Sequence, residues 1–239
     1  MPAQVDLPTV PYYLYRYRGL GEIGSKLSGT FTRELSALAE PYVWCSNFEK
    51  MNDPMEGFFR PSTRFRNTPE FKEKFKTIYA AKQKIGIVSF SDDKSNDLMW
   101  AHYAGNYSGI CIRYRAEELL ASLPDGVRLA RLGYSDRLPR LTQENEESIR
   151  TILSQKKSCW AYEREWRILG PVGQLKIGSN AISRIYLGSR IEKDKKEELI
   201  KLARQKDIKM SEMSVSDYKH GWKDVHPPRA GSRARQDVT

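Results

Sequence analysis

The chain has 239 residues, 39% of them apolar and 29% charged, which is globular composition rather than disorder. Forty basic residues against thirty acidic ones leave a net charge of +10, which suits an anionic partner such as nucleic acid or a phosphate-bearing cofactor. No apolar run approaches the roughly 18 residues a membrane helix needs, residues 1–10 lack a signal-peptide pattern, and the scattered Cys45, Cys111 and Cys159 have neither zinc spacing nor an even count, so a cytoplasmic protein with no membrane contact and no metal site is expected.

Residues 1–11, with Pro2, Pro8 and Pro11, read as a loose N-terminal arm. Tyr12 to Arg18 is rich in aromatics and reads as a strand, Thr32 to Ala39 as a short helix, and Tyr42 to Ser46 as a second strand running into the turn formers Asn52-Asp53-Pro54. From Pro69 to Lys84 the period is helical, with Phe71, Phe75, Ile78 and Tyr79 on one apolar face. Between Arg60 and Lys84 stand eight basic and two acidic residues. They read either as the wet side of an amphipathic helix or as a face for a polyanion. Further strands are expected at 85–90, 109–114 and 182–187, an extended stretch at 127–134, and a last strand at 208–215. Helices are expected at 96–103, 116–122, 142–158 and 193–205, the first capped by Asn96 or Ser95. Residues 160–169 read as extended. From Lys219 on, few apolar residues accompany Pro227-Pro228 and three arginines, and a disordered basic tail over 219–239 is expected. Short strands mixed with helices, without regular βαβ alternation, predict one α+β domain over 12–218. The glycines at 19, 21 and 24 are not followed cleanly by a crossover helix, so they do not read as a dinucleotide-binding run, and there is no phosphate loop.

Three constellations could carry chemistry. In Tyr162-Glu163-Arg164-Glu165-Trp166-Arg167, a strand would place Glu163 and Glu165 side by side on one face. Two such carboxylates raise each other's pKa unless cations compensate, and Arg16, Arg18 and Arg167 are the candidates. The bland reading is a solvated or salt-bridged strand face. In Leu98-Met99-Trp100-Ala101-His102-Tyr103-Ala104, Met99, Trp100 and Tyr103 form a core stripe, and His102 is either a general acid–base or a hydrogen-bonded structural residue. In Asn47 to Glu56, a capped turn competes with a pocket rim built by Asn52, Asp53 or Glu56.

In order and spacing these motifs, with Leu14-Tyr15-Arg16-Tyr17, Trp44-Cys45-Ser46, Gly109-Ile110-Cys111 and Ile185-Tyr186-Leu187-Gly188, resemble a bacterial family catalogued as a domain of unknown function. Some of its members are labelled abortive-infection proteins. The resemblance spans roughly residues 12 to 215, with Met51 where the family usually has Phe. A second resemblance is to mono-ADP-ribosyltransferases, whose three motifs look like Leu14-Tyr15-Arg16, Trp44-Cys45-Ser46 and Glu163-Arg164-Glu165. It implies a split mixed or antiparallel sheet with flanking helices and NAD as cofactor. It also implies a toxin of a phage-defence system that transfers ADP-ribose to RNA or DNA.

In that reading Glu165 would stabilise the oxocarbenium-like transition state at the nicotinamide ribose, and Glu163 would activate the acceptor. Arg16 would hold the pyrophosphate or the adenosine ribose, beside Tyr15. Ser46 would steady the sheet or the nicotinamide ribose, and Tyr17 or Trp44 would stack the nicotinamide. Asn52, Asp53, Glu56, His102 and Arg167 would lie at the acceptor or rim, and an antitoxin or chaperone partner is conceivable. The alternatives are a non-catalytic nucleic-acid-binding defence component, and a nuclease with a divalent metal on Glu163, Glu165 and Asp53.

Overall fold

The computed structural model describes residues 9–21, 29–143 and 145–226. Along the chain run β1 (Tyr13–Arg18), α1 (Gly29–Ala39), β2 (Tyr42–Asn47), β3 (Arg60–Pro61), α2 (Thr63–Arg66), α3 (Phe71–Lys84), β4 (Ile85–Ser91), α4 (Asp97–Tyr103), β5 (Ile110–Arg115) and α5 (Ala116–Ala121). Then follow β6 (Arg128–Arg131), β7 (Gly133–Tyr134), β8 (Arg140–Leu141), α6 (Glu146–Ile152), β9 (Gln155–Lys156), β10 (Glu165–Pro171), β11 (Gly173–Lys176), β12 (Ile182–Leu187), α7 (Lys193–Lys206), β13 (Lys209–Ser216) and β14 (Lys219–His226). The architecture is mixed α+β. The described residues pack as two compact units, one within 9–14, 42–93 and 120–177, the other within 15–21, 29–41, 94–119 and 178–226. No helix among the described residues is long and apolar enough to cross a membrane.

The first unit is organised by β4 and β10, antiparallel partners over seven residues, from Glu165 opposite Ser91 to Pro171 opposite Ile85. Both are nearly continuous buried runs, so each is covered on both faces. Chain reversal after β10 brings β11 back against β2, and β6 adds to the other edge of β10. Gly86 is obligatory at its place. A Cβ there would stand 2.6 Å from the Cys45 Cβ and 2.8 Å from the Pro171 carbonyl oxygen. On the face of β10 that carries Glu165, Arg167 and Leu169, helices α3 and α6 bring Ile78, Ile149, Ile152 and Leu153 into one apolar cluster with Ile87 and Leu169.

The second unit holds β5 antiparallel to β12, β12 parallel to β13 and β13 antiparallel to β14. Trp100, fully buried from α4, stacks at 6.2 Å on Tyr107 and lies 6.0 Å from Trp222 of β14. Asn96 caps α4, its side-chain oxygen accepting from the Met99 amide at 3.1 Å.

Several expectations are corrected. The helix expected over 142–158 is confined to Glu146–Ile152, because Gln155 and Lys156 pair with Gly133 and Tyr134 as short parallel strands. The extended stretch expected from Trp160 begins only at Glu165; Ser158–Glu163 is a short 3-10 helix. Residues 219–226, expected in a disordered tail, form β14. The rest of that tail and most of the N-terminal arm lie outside the described residues. On α3 the expected apolar face is only partly buried, and it includes a lysine. Phe75 and Tyr79 are exposed, whereas Lys82 is buried, donating to the Gly57 carbonyl at 2.7 Å over the Phe48 ring.

Candidate functional site

Glu163 and Glu165 are brought together by a different route from the strand the spacing implied. Glu163 ends the 3-10 helix, and Arg164 takes a left-handed conformation (φ 48°, ψ 49°) that turns the chain into β10 at Glu165. Both carboxylates are buried and converge on one cation that sequence reasoning missed. The Lys156 ammonium lies 2.6 Å from Glu163 Oε2 and 3.5 Å from Glu165 Oε2, and 4.6 Å from the centre of the Trp160 ring. The parallel pairing of β9 with β7 is what aims Lys156 inward. Its place in the sequence, within an expected helix, gives no signal of that direction.

Arg167 is the hub. On a strand it shares the face of Glu165, and it is 0% exposed. Its Nε donates to Glu165 Oε1 at 2.7 Å and its Nη2 to Glu165 Oε2 at 3.2 Å. Nη1 and Nη2 donate to the two oxygens of Glu56 at 2.6 and 2.8 Å, and Nη1 also to the Leu153 carbonyl at 2.6 Å. All five guanidinium N–H donors are therefore used, two carboxylates being bound by forked pairs. Tyr134 completes the shell, its hydroxyl accepting from the Glu165 amide at 2.8 Å.

The electrostatics follow. Burial pushes the Glu165 carboxyl up, but the charges of Arg167 and Lys156 outweigh it and hold the pKa at about 2. Burial works against the Arg167 cation too, and the carboxylates of Glu165 and Glu56 raise its pKa nonetheless. Three carboxylates face two cations, so the cluster Glu56, Glu163, Glu165, Arg167 and Lys156 carries a formal charge of −1. Such an assembly can lock β10 to the loop carrying Glu56 and to the end of α6. Glu165, 3% exposed, has both oxygens occupied.

The other residues singled out fall in both units. Tyr15, Arg16 and Tyr17 lie on β1 in the second unit, Tyr17 buried edge-on against Trp100. Arg16 and Arg18 oppose the effect of burial that raises the Tyr114 hydroxyl to about 12. Trp44 on β2 is half exposed and Ser46 half-buried, paired with Ile87 of β4. Asn52 is exposed. Asp53 is buried in a turn, accepting from the Met55 amide at 2.9 Å. Glu56, expected at a rim, belongs to the buried cluster, as does Arg167. His102 is exposed on α4. Among the described residues no group of three or more His, Cys, Asp or Glu is disposed to hold a metal ion.

A second feature of the first unit is a set of exposed arginines carried by β3, α2, β8 and the segment before β8. β3 and β8 run parallel, with Arg60 directly opposite Arg140. Ser62 then caps α2, which carries Arg64 and Arg66, and Arg137 precedes β8. All five are exposed, and none has an acidic partner among the described residues. The eight-to-two surplus of bases over 60–84 hints at this set. Arg137 and Arg140 join it only through the β3–β8 pairing, which two-residue strands do not announce.

Residues 99–168 match a family model described as "Protein of unknown function (DUF2971)". The matched segment runs from α4 through the cluster residues Lys156, Glu163, Glu165 and Arg167. No curated protein and no solved structure matches the chain.

Proposed function

We propose that this protein binds nucleic acid through the exposed arginines of β3, α2, β8 and the segment before β8 in its first unit, and that the buried carboxylate cluster is the scaffold holding that unit together. The observation that carries the reading is Arg60 set opposite Arg140 across paired strands, with exposed Arg64, Arg66 and Arg137 a few residues away in the chain. Like charges placed directly opposite each other destabilise a sheet. A row of phosphates would relieve that repulsion, and guanidinium forks match phosphate geometry bidentately. The surplus of +10 acts in the same direction by drawing a polyanion in at long range.

The test is binding of labelled oligonucleotides as a function of salt. Affinity should fall steeply with ionic strength, and removing one phosphate-binding cation should flatten the log–log slope by about 0.7 to 0.9. The doubly reversed chain Arg60→Glu with Arg140→Glu should bind more weakly, with a slope flatter by about 1.4 to 1.8. Salt-independent or absent binding, or an unchanged slope in the variant, would sink the proposal.

A second reading is ADP-ribosyl transfer from NAD to the bound nucleic acid, in the phage-defence setting that the sequence resemblance implies. It draws on the convergence of Glu163 and Glu165 on Lys156. It requires Glu165 to exchange Arg167 and Lys156 for a ribose hydroxyl. Transfer of label from NAD, abolished in a folded Glu165→Gln chain, would support it; no turnover in the wild-type chain would dismiss it.

A further inference from the structure

The exposed arginines of β3 and α2 are neighbours in the chain of an unusual run of aromatic rings on α2, α3 and the segment leading into β3. Phe65, between Arg64 and Arg66, packs edge-on against Phe71 at 5.8 Å. Phe71 in turn lies 5.9 Å from Phe75, and Phe59, the neighbour of Arg60, lies 5.5 Å from Phe75. Phe75 is thus propped by two rings and still 41% exposed. Phe58, next in the chain to Phe59, is 54% exposed. A helix face shaped only by packing would bury such rings. Phe75 stays exposed although Lys82, seven residues on and therefore on the same side of the helix, is buried.

From this we infer that the nucleic acid taken by these arginines is single-stranded, with an unpaired base stacked on Phe75. The inference rests on the nucleic-acid reading above and names its ligand class. A ring held by two others is a rigid platform with little entropy to lose on binding. Base stacking on such platforms is sequence-tolerant, because every base has a π-face. A duplex hides its base faces within the stack, so it could use the arginines but not the ring. The flanking residues set the path of the strand. Arg60, paired with Arg140, follows Phe59 in the chain, and Arg64 and Arg66 flank Phe65, the ring against which Phe71 packs. On α3 itself, Lys74 pairs with Glu70 and Lys76 with Glu73, which leaves Lys72 as the cation nearest Phe71 in the chain. One helical turn past Phe75, Tyr79 donates to Glu49, and that carboxylate repels phosphate. The strand therefore leaves Phe75 toward the arginines, not toward Tyr79.

The experiment compares single strands and duplexes of equal length with the full chain, Phe75→Leu and Arg60→Glu. Leucine keeps an apolar contact with Phe59 and Phe71 but has no ring, and circular dichroism confirms that the variant folds. The wild-type chain should prefer single strands. Phe75→Leu should reduce the ratio of single-strand to duplex affinity about tenfold or more, whereas Arg60→Glu should weaken both ligands together. Equal or tighter duplex binding by the wild type, or an unchanged ratio in Phe75→Leu, would overturn the inference while leaving the nucleic-acid reading intact. If neither ligand binds, the broader reading falls first.

Discussion

At the scale of single residues, Arg167 is where the sequence signature and the structure meet. The run Tyr162 to Arg167 marks a pair of carboxylates, and Arg167 is among the cations expected to compensate them. What the pattern does not reveal is that Glu56 comes from a turn 111 residues earlier to take the other half of the same guanidinium. Nor does spacing show Lys156, whose direction depends on a strand pairing. Because every donor of Arg167 is used and none reaches water, removing it leaves two buried carboxylates facing each other. Arg167→Met should therefore cost about 3–5 kcal/mol, the range for breaking a buried pair from one side. Arg167→Lys should be intermediate, since an ammonium cannot fork to two carboxylates. Urea denaturation monitored by tryptophan fluorescence measures both. A loss under about 1 kcal/mol for Arg167→Met would mean that the cluster does not hold β10 in place.

At the scale of elements, long periodic segments are legible in the sequence and short paired ones are not. β1, β4, β5, β12, α3 and α7 lie within a few residues of their expected places, because their apolar residues recur with one period. β3, β8 and β9 are two residues each and exist only because another segment lies beside them, whereas β7, equally short, falls within the extended stretch expected over 127–134. β14 is hidden for another reason. Its hairpin turns on Asp217 and Tyr218, both with positive φ, where a glycine would have announced the turn. The strand itself alternates weakly, yet Trp222 packs 4.8 Å from Tyr186 and 6.0 Å from Trp100. It therefore belongs to the packed second unit and also covers the edge of β13. Trp222→Ala should lower stability by about 2 kcal/mol, less than full burial would give because the ring is half-buried. Ending the chain at Ser216 should do more, exposing an unpaired strand edge and promoting association. Equilibrium unfolding of the first variant and light scattering of the second are the checks. A truncated chain as stable and monodisperse as the full one would show β14 to be dispensable.

For the molecule as a whole, charge and pH are linked through the buried cluster. As pH falls, the 30 acidic side chains neutralise while the 40 basic ones and three histidines carry full charge, so general repulsion rises from a net +10. Glu165 adds a specific contribution. Burial alone would raise its pKa, but Arg167 and Lys156 hold it at about 2, against 4.5 for an unperturbed glutamate. A carboxylate whose pKa is lower in the folded chain stabilises the fold fully above the unfolded value, and loses that contribution as pH falls through the folded one. The loss attached to Glu165 therefore lies between about pH 4.5 and pH 2. Surface pairs such as Lys76–Glu73, exposed on both sides, contribute little to it. Glu165→Gln removes the specific part and leaves the general repulsion nearly unchanged. The variant should be less stable than wild type at pH 7, because Arg167 and Lys156 lose a charged partner. The gap should narrow steadily as both are titrated from pH 5 to pH 2. Unfolding midpoints in urea at a series of pH values read this directly. Parallel curves for the two chains would mean that Glu165 is not held ionised by the cluster, and the assignment of that cluster as the scaffold of the first unit would fall with it.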